Sequence, residues 1–349
     1  MPIFLDVPGA DRAGETPPEN SVTIGLINNM PDAALDATER QFIDLIRDAA
    51  FDIGVQLKLF AIPEIPRSDE MRRELTERYR DVAELWETPL DGLIVTGTEP
   101  RAADLKQEPY WEVLAAIVEW ARDNTSSTIW SCLAAHAAVL HLDGIKRSPL
   151  KAKQFGIFEC EKVADHPMTA QVRWPLRVPH SRFNDLRERT LTSCGYTILS
   201  QSPIAGVDMF AKLDRSYFLH FQGHPEYEPV SLLREYRRDI GRFLKRERRD
   251  YPAMPQGFFT AGKAEAANAF YQRAIADRRD ELIGDFPLNY LEAGLRSTWR
   301  PSAISIYEKW LGFLYARKVE GRKLVAPLRR TWRDWPAGVT RPIADPTAR

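Results

Sequence analysis

The sequence predicts an α/β fold: a mostly parallel sheet flanked by helices, extended by a helical C-terminal segment. Three observations predict it. Short β-rich apolar runs alternate with helical stretches through the first 142 residues. Their order, strand then helix three times over, implies a largely parallel sheet with helices on both faces. The chain has 349 residues, of which 44% are apolar and 28% charged, enough for a sizeable core in one large or two ordinary domains.

Residues 1–20 carry Gly, Pro and charge without periodicity and read as a loose N-terminal arm. Ser21–Ile27 is the first β-rich run, broken by Asn28-Asn-Met-Pro31. Asp36-Ala-Thr-Glu39 reads as a capping box, and Phe42, Leu45, Ile46 and Ala49 give the helix after it an apolar face. Val55–Ala61 alternates as a strand, and Glu70–Leu85 is a polar helical stretch. Asp91–Gly97 is a short apolar run ending in a turn, and Glu108–Trp120 an amphipathic helix. Thr128–Ser131 reads as a buried strand, and the Ala- and Leu-rich Leu133–Leu142 as a helix.

From Gly156 to Asp214 the pattern is strand-like but irregular, with runs at Val172–Trp174, Tyr196–Leu199 and Met209–Leu213. Tyr217–Gln222 is an apolar strand closed by Gly223-His-Pro-Glu-Tyr227, and Ser231–Leu244 is a basic amphipathic helix. We therefore expect an arm over 1–20 and an α/β catalytic domain over 21–249. An extension over 250–349 packs on that domain. It contains a helix near Ile304–Tyr315 and a basic tail with Arg329, Arg330, Trp332, Arg333 and Trp335.

Cys132 stands at the joint between strand and helix, with no Pro or Gly to lengthen the turn. A nucleophile there is held out of the sheet, facing the backbone N–H groups of the new helix. Those groups and the helix dipole favour a thiolate. The plainer alternative is a buried small apolar residue, which most free cysteines are. A thiol nucleophile needs a base and a group to orient it. His224 and Glu226 offer both, because residues two apart in an extended segment point to one side. In parallel sheets ligands bind at the carboxyl ends of strands, where Cys132, the Thr96–Pro100 loop and His224 all fall. The backbone N–H of Leu133 is one oxyanion donor, and an N–H of the Thr96–Pro100 loop, taken as that of Thr98, is the other.

A formal net charge of -1 gives no overall pull towards nucleic acid or an anionic membrane. Three cysteines form no paired framework, which fits a reducing compartment. Early charges at Asp6, Asp11 and Arg12 argue against a secretory signal, and no apolar run approaches membrane-spanning length, so the expected location is cytoplasmic. No metal constellation is expected: Cys-x-x-Cys is absent, and His136 and His141 are five apart, off a common helical face. No glycine-rich phosphate loop follows a strand.

The landmarks together resemble the homoserine O-acyltransferase family, whose fold is like that of class I glutamine amidotransferases. They are Asn29-Met-Pro31, Asp91–Gly97, Tyr110-Trp111, Ser127–Cys132, Gly156–Glu159, Pro179-His-Ser-Arg-Phe183, Gly223–Tyr227, Tyr236–Asp239 and Ser297–Arg300. They keep the family's order across residues 22–315. The resemblance implies that an acyl-CoA acylates Cys132, with His224 as base and Glu226 orienting it, and that the acyl group then passes to homoserine. It places Arg238 on the amino-acid carboxylate, which suits a guanidinium fork, and sets Lys153 and Ser181 around the substrate. His180 is read as structural. The resemblance also implies a homodimer, to which the aromatic C-terminal helix would contribute a contact. No bound cofactor is expected, since the acyl-CoA is a co-substrate.

Two departures bear on specificity. The stretch after Asn-Met-Pro is longer than the family's, and Arg101 occupies the position where the family carries Gly with succinyl donors and Glu with acetyl donors. An arginine there would pair the free carboxylate of a succinyl group, which favours succinyl-CoA over acetyl-CoA unless Glu99 neutralises it. Serine or another amino alcohol is an alternative acceptor. Other readings are a glutaminase using the same triad, a catalytically silent binding homologue, and nucleic-acid binding by the tail. Between Arg317 and Arg333 seven Lys or Arg make a basic patch, but no nucleic-acid fold accompanies it.

Overall fold

An eleven-stranded sheet organises the described residues. The structure is a computed structural model and describes residues 3–6 and 17–321. In chain order the first elements are β1 (Ile3–Asp6), β2 (Val22–Ile27), α1 (Asp32–Ala49), β3 (Val55–Ala61), α2 (Asp69–Arg78), β4 (Arg80–Asp81) and β5 (Gly92–Val95). Then come α3 (Trp111–Asn124), β6 (Ser127–Ser131), α4 (Leu133–Asp143), β7 (Ser148–Lys162), β8 (Leu176–Asp185), α5 (Glu188–Ser193) and β9 (Thr197–Ser202). The chain continues through β10 (Gly206–Leu213), β11 (Tyr217–Phe221), α6 (Ser231–Leu244), α7 (Ala261–Ala276), α8 (Leu288–Glu292) and α9 (Arg300–Gly321).

The sheet order is β1-β3-β2-β5-β6-β11-β10-β9-β7-β8, with β4 beside β3. From β1 to β11 neighbouring strands run parallel; from β11 onward each pairing is antiparallel. The architecture is α/β with a mostly parallel centre, as expected.

Side chains of the central strands alternate between two cores, as the period of a strand requires. Leu93, Val95, Trp130 and Phe218 face α3 and α4. Ile94, Ile129, Leu219 and Phe221 face α1 and α9. A third cluster joins α6, α7 and α8 through Tyr236, Phe243, Phe270 and Leu291. Glycine at 92 lets α9 press on the sheet: a Cβ there would meet Leu314 Cδ1 at 2.6 Å and Trp310 Cζ2 at 3.0 Å.

Several local expectations need correction. Ile3–Asp6, expected in a loose arm, is an edge strand in parallel register with Val55–Lys58, and Asp6 accepts from Lys58 Nζ at 2.7 Å. The first long helix begins at Asp32, with Pro31 at its N-cap position. Asp36 and Glu39 therefore lie inside the helix, where they bind Arg78 at 2.8 and 2.7 Å instead of capping. The 70–85 stretch is a shorter helix followed by β4 and a 3₁₀ turn over Val82–Glu87. The C-terminal helix is longer than expected, and much of its aromatic face packs inside the chain. Tyr307, Trp310, Leu311 and Leu314 are fully buried against the sheet. The basic residues Arg329, Arg330 and Arg333 lie outside the described residues. Among the described residues no helix is long and apolar enough to cross a membrane.

Candidate active site

Register explains how the site assembles. β6 and β11 are parallel neighbours with Ser131 level with Phe221, so the residues leaving their carboxyl ends emerge side by side. One exit carries Cys132, the other Gln222-Gly-His224. Cys132 takes φ 52° and ψ −111° at the N-cap position of α4. A non-glycine residue so placed carries backbone strain of about 1–3 kcal/mol, which only surrounding structure can hold. Here its N–H donates to Phe221 O at 2.7 Å and its carbonyl accepts from His136 N at 3.3 Å. The turn thus lifts the thiol off the end of a wholly buried strand.

His224 is buried, and its Nδ1 lies 2.8 Å from Glu226 Oε1. Its backbone N–H donates to Pro179 O at 2.8 Å, which fixes the turn against β8. Burial opposes the imidazolium, but the Glu226 carboxylate and the nearby Cys132 sulfur outweigh it and hold the pKa of His224 well above its ordinary value. Cys132, His224 and Glu226 are therefore brought together as the sequence predicts.

The loop after β5 packs against the turn that carries Cys132. Gly97 packs on the start of α4 so closely that a Cβ would lie 3.0 Å from Leu133 N and 3.3 Å from Ser131 O. Asn29 braces this loop from β2: its N–H reaches Thr96 Oγ1 at 2.8 Å and its Nδ2 reaches Thr96 O at 3.0 Å. Arg67 in turn donates to Met30 O and Asn28 O. The Asn-Asn-Met-Pro break thus braces Thr96, at the start of this loop.

Arg238, Lys153 and Ser181 meet around two acidic residues that sequence reasoning did not single out, Glu235 and Asp239. Lys153 Nζ lies 3.3 Å from Glu235 and 3.0 Å from Asp239, and Arg238 binds Asp239 at 3.0 Å. Ser181 Oγ donates to Glu235 Oε2, and Tyr227 OH to Glu235 Oε1 at 2.6 Å. Burial favours protonating Glu235, yet Lys153 and Arg238, with the two hydroxyls, hold its pKa below the usual carboxylate value. Arg101 is exposed on the loop after β5. Glu99 does not neutralise it, because Arg242 grips Glu99 with both terminal nitrogens at 2.7 and 2.9 Å.

One ligand-type trio does form, contrary to the expectation from spacing. Cys160, His180 and Asp208 are buried with their ligand atoms all within 4.8 Å of one another. Its members are far apart in sequence, so no spacing could show it. His180 Nδ1 accepts from Arg182 Nε at 3.4 Å, and its Nε2 faces Asp208 Oδ1 at 3.3 Å. This pair props Gly223, whose Cβ position lies 2.6 Å from Asp208 Oδ1 and 3.0 Å from His180 Nε2.

Comparison with known proteins places these residues in context. The family described as "HTS: Homoserine O-succinyltransferase" matches residues 11–320. A homoserine O-succinyltransferase of Rhodopseudomonas palustris is 50% identical over 290 residues, covering 83% of this chain and 87% of that one. One from Bradyrhizobium japonicum is 47% identical over 307 residues, covering 88% of this chain and 93% of its own length. Among solved structures, a glutamine amidotransferase from Thermotoga maritima superposes with a TM-score of 0.43 at 12% identity, covering 84% of this chain and 98% of that one.

Proposed function

The chain belongs to the homoserine O-succinyltransferase family, and from that premise we propose that it moves a succinyl group from succinyl-CoA to homoserine through a thioester on Cys132. The observation that carries the mechanism is the convergence of Cys132 with the His224–Glu226 pair at the ends of β6 and β11.

In the first half-reaction the Cys132 sulfur attacks the thioester carbonyl. An S–C bond forms, the bond to the CoA sulfur breaks, and CoA leaves with the proton that His224 holds. In the second, the acceptor hydroxyl attacks the enzyme thioester while His224 takes its proton; a C–O bond forms and the C–S bond to Cys132 breaks. Glu226 fixes the imidazole tautomer and favours its charged form. The N–H groups of Leu133 and Thr98 are our oxyanion donors, supported by the contact of Gly97 with the head of α4. Arg238, Lys153 and Ser181 hold the acceptor's charged groups, supported by their gathering beside Tyr227. Arg101, unpaired with Glu99, is assigned to the donor's succinyl end.

Our reading takes residues 21–249 as the catalytic domain and 250–349 as an extension completing its core. No bound cofactor enters the reaction. The partners are an acyl-CoA and an amino acid rather than nucleic acid or membrane, a homodimer is carried over from the resemblance, and the free cysteines suit the cytoplasm.

Intact-protein mass after mixing with succinyl-CoA or acetyl-CoA, followed by homoserine or serine, tests the proposal. A succinyl adduct that requires Cys132 and is discharged by homoserine supports it. An acetyl adduct alone overturns the donor, and discharge by serine alone overturns the acceptor. No adduct with either donor turns the test to glutaminase activity and to a silent homologue.

A further inference from the structure

Most cations around the thiol are already committed to carboxylates. Lys153 binds Glu235 and Asp239, Arg238 binds Asp239, and Arg242 binds Glu99. Arg147 is different. It follows α4, the helix headed by Cys132, and reaches under the loop that carries Arg101. Its Nη2 donates to Ala102 O at 3.1 Å and Ala103 O at 2.9 Å. Those bonds lock the guanidinium in place but leave its charge without an ion-pair partner among the described residues. It is half-buried, and Tyr110, Glu108, Asp104 and then the Cys132 sulfur act on its charge from beyond ion-pair contact.

Burial outweighs those longer-range attractions, and a half-buried, fixed cation with no carboxylate in ion-pair contact has as its natural complement an anion delivered by the substrate. Carbonyl anchoring through one nitrogen leaves the rest of the guanidinium fork to take a carboxylate at two points. The succinyl chain carries its free carboxylate two methylenes beyond the carbonyl that Cys132 attacks. We infer that Arg147 binds this carboxylate, on the donor and on the acyl-enzyme, and so selects the acyl group together with the more exposed Arg101. The inference rests on the succinyl-transfer reading. An anionic group of CoA itself has the same chemistry, so the test must separate the two sources.

Acylation of Cys132 is followed by CoA release and intact mass for wild type, Arg147→Met and Arg147→Lys, with succinyl-CoA and butyryl-CoA as donors. Inhibition by free CoA is measured in parallel. We expect Arg147→Met to lower kcat/KM for succinyl-CoA by about 100-fold, the scale of truncating one partner of a buried charge pair. Use of butyryl-CoA and inhibition by CoA should stay at wild-type levels, which also reports intact folding, and Arg147→Lys should recover part of the loss. Equal losses for both donors, or weaker CoA inhibition, would put Arg147 on CoA and overturn the inference. So would an unchanged succinyl-CoA rate. A wild-type enzyme that loads no succinyl group at all overturns the underlying reading, a result distinct from a wild type that loads it and an Arg147→Met variant that loads it equally well.

Discussion

Tyr227 lies flat on the His224 imidazole, with ring centroids 4.2 Å apart and planes 19° apart. The same residue donates its hydroxyl to Glu235 Oε1 at 2.6 Å and accepts at its carbonyl from Trp299 Nε1 at 2.9 Å. Contacts from α6 and from the segment before α9 therefore fix the ring that covers the base. Because Glu235 also binds Lys153 and Ser181, the ring over His224 and the groups we assign to the acceptor share one carboxylate. Tyr227→Phe keeps the stack and removes only the tether to Glu235. We expect discharge of the acyl-enzyme by homoserine to slow about tenfold, the scale of one hydrogen bond to a charged group, with acylation nearly unchanged. Rapid-quench measurement of the two half-reactions checks this; equal slowing of both would put the hydroxyl's role on His224 instead.

Gly97 offers a second test, of the oxyanion assignment. An added methyl would sit 3.0 Å from Leu133 N and 3.2 Å from Leu133 Cβ, tighter than ordinary contact, so loop and helix head must move apart. Gly97→Ala should lower the acylation rate by about 10²-fold, the lower end for loss of one oxyanion donor. Thermal stability should fall little, since the strain is confined to the loop. Single-turnover CoA release beside a melting curve separates the outcomes. A large loss of stability with normal acylation would mean that the contact serves packing alone.

What could be read in the chain follows from how local each signal is. The nucleophile turn, Ser131-Cys-Leu133, and the Gly223–Glu226 segment are each continuous in sequence, and both end apolar runs that became β6 and β11. Strand β7 was hidden because its first half, residues 148–154, is exposed or half-buried without apolar alternation, and β8 because polar residues such as His180 and Arg182 fill buried positions. The Lys153–Glu235–Asp239 cluster was hidden for another reason: Lys153 meets Glu235 and Asp239 across 82 and 86 residues, and only the fold brings them together. Asp36 and Glu39 matched a capping pattern, but Pro31 had already opened the helix, freeing both carboxylates for Arg78. Arg147 gave no signal, since its meaning lies in the absence of an ion-pair partner, which composition cannot show.

Helix α9, in the extension after residue 250, is part of the main core, and this too is measurable. Trp310 is fully buried over Gly92, and its Nε1 donates to Ser127 Oγ at 2.9 Å, at the foot of β6. Trp310→Ala removes the ring and leaves a cavity between α9 and the sheet, at a cost of about 3–5 kcal/mol. Trp310→Phe should cost less, losing the hydrogen bond and part of the ring. Equilibrium unfolding in urea checks the order. Activity per folded molecule should stay near wild type in both variants, because the contact lies at the strand end opposite Cys132.

The charge state of His224 gives a prediction in pH. Burial alone would push its pKa down; the Glu226 carboxylate, then the Cys132 sulfur, raise it well above the ordinary value. Glu226→Gln keeps the shape but deletes the larger of those attractions, so the pKa of His224 must fall. A histidine whose folded-state pKa is raised contributes stability fully present below the unfolded value near about 6.5 and lost as pH rises through the folded pKa. The destabilisation caused by Glu226→Gln should therefore be largest near that lower limit and shrink as pH climbs. The limb of the acylation pH profile that reports His224 should move to lower pH in the same variant. Urea unfolding at several pH values from about 6 upward, with single-turnover acylation over the same range, measures both effects. A limb that moved upward, or a destabilisation that grew with pH, would show that Glu226 does not hold the charge on His224.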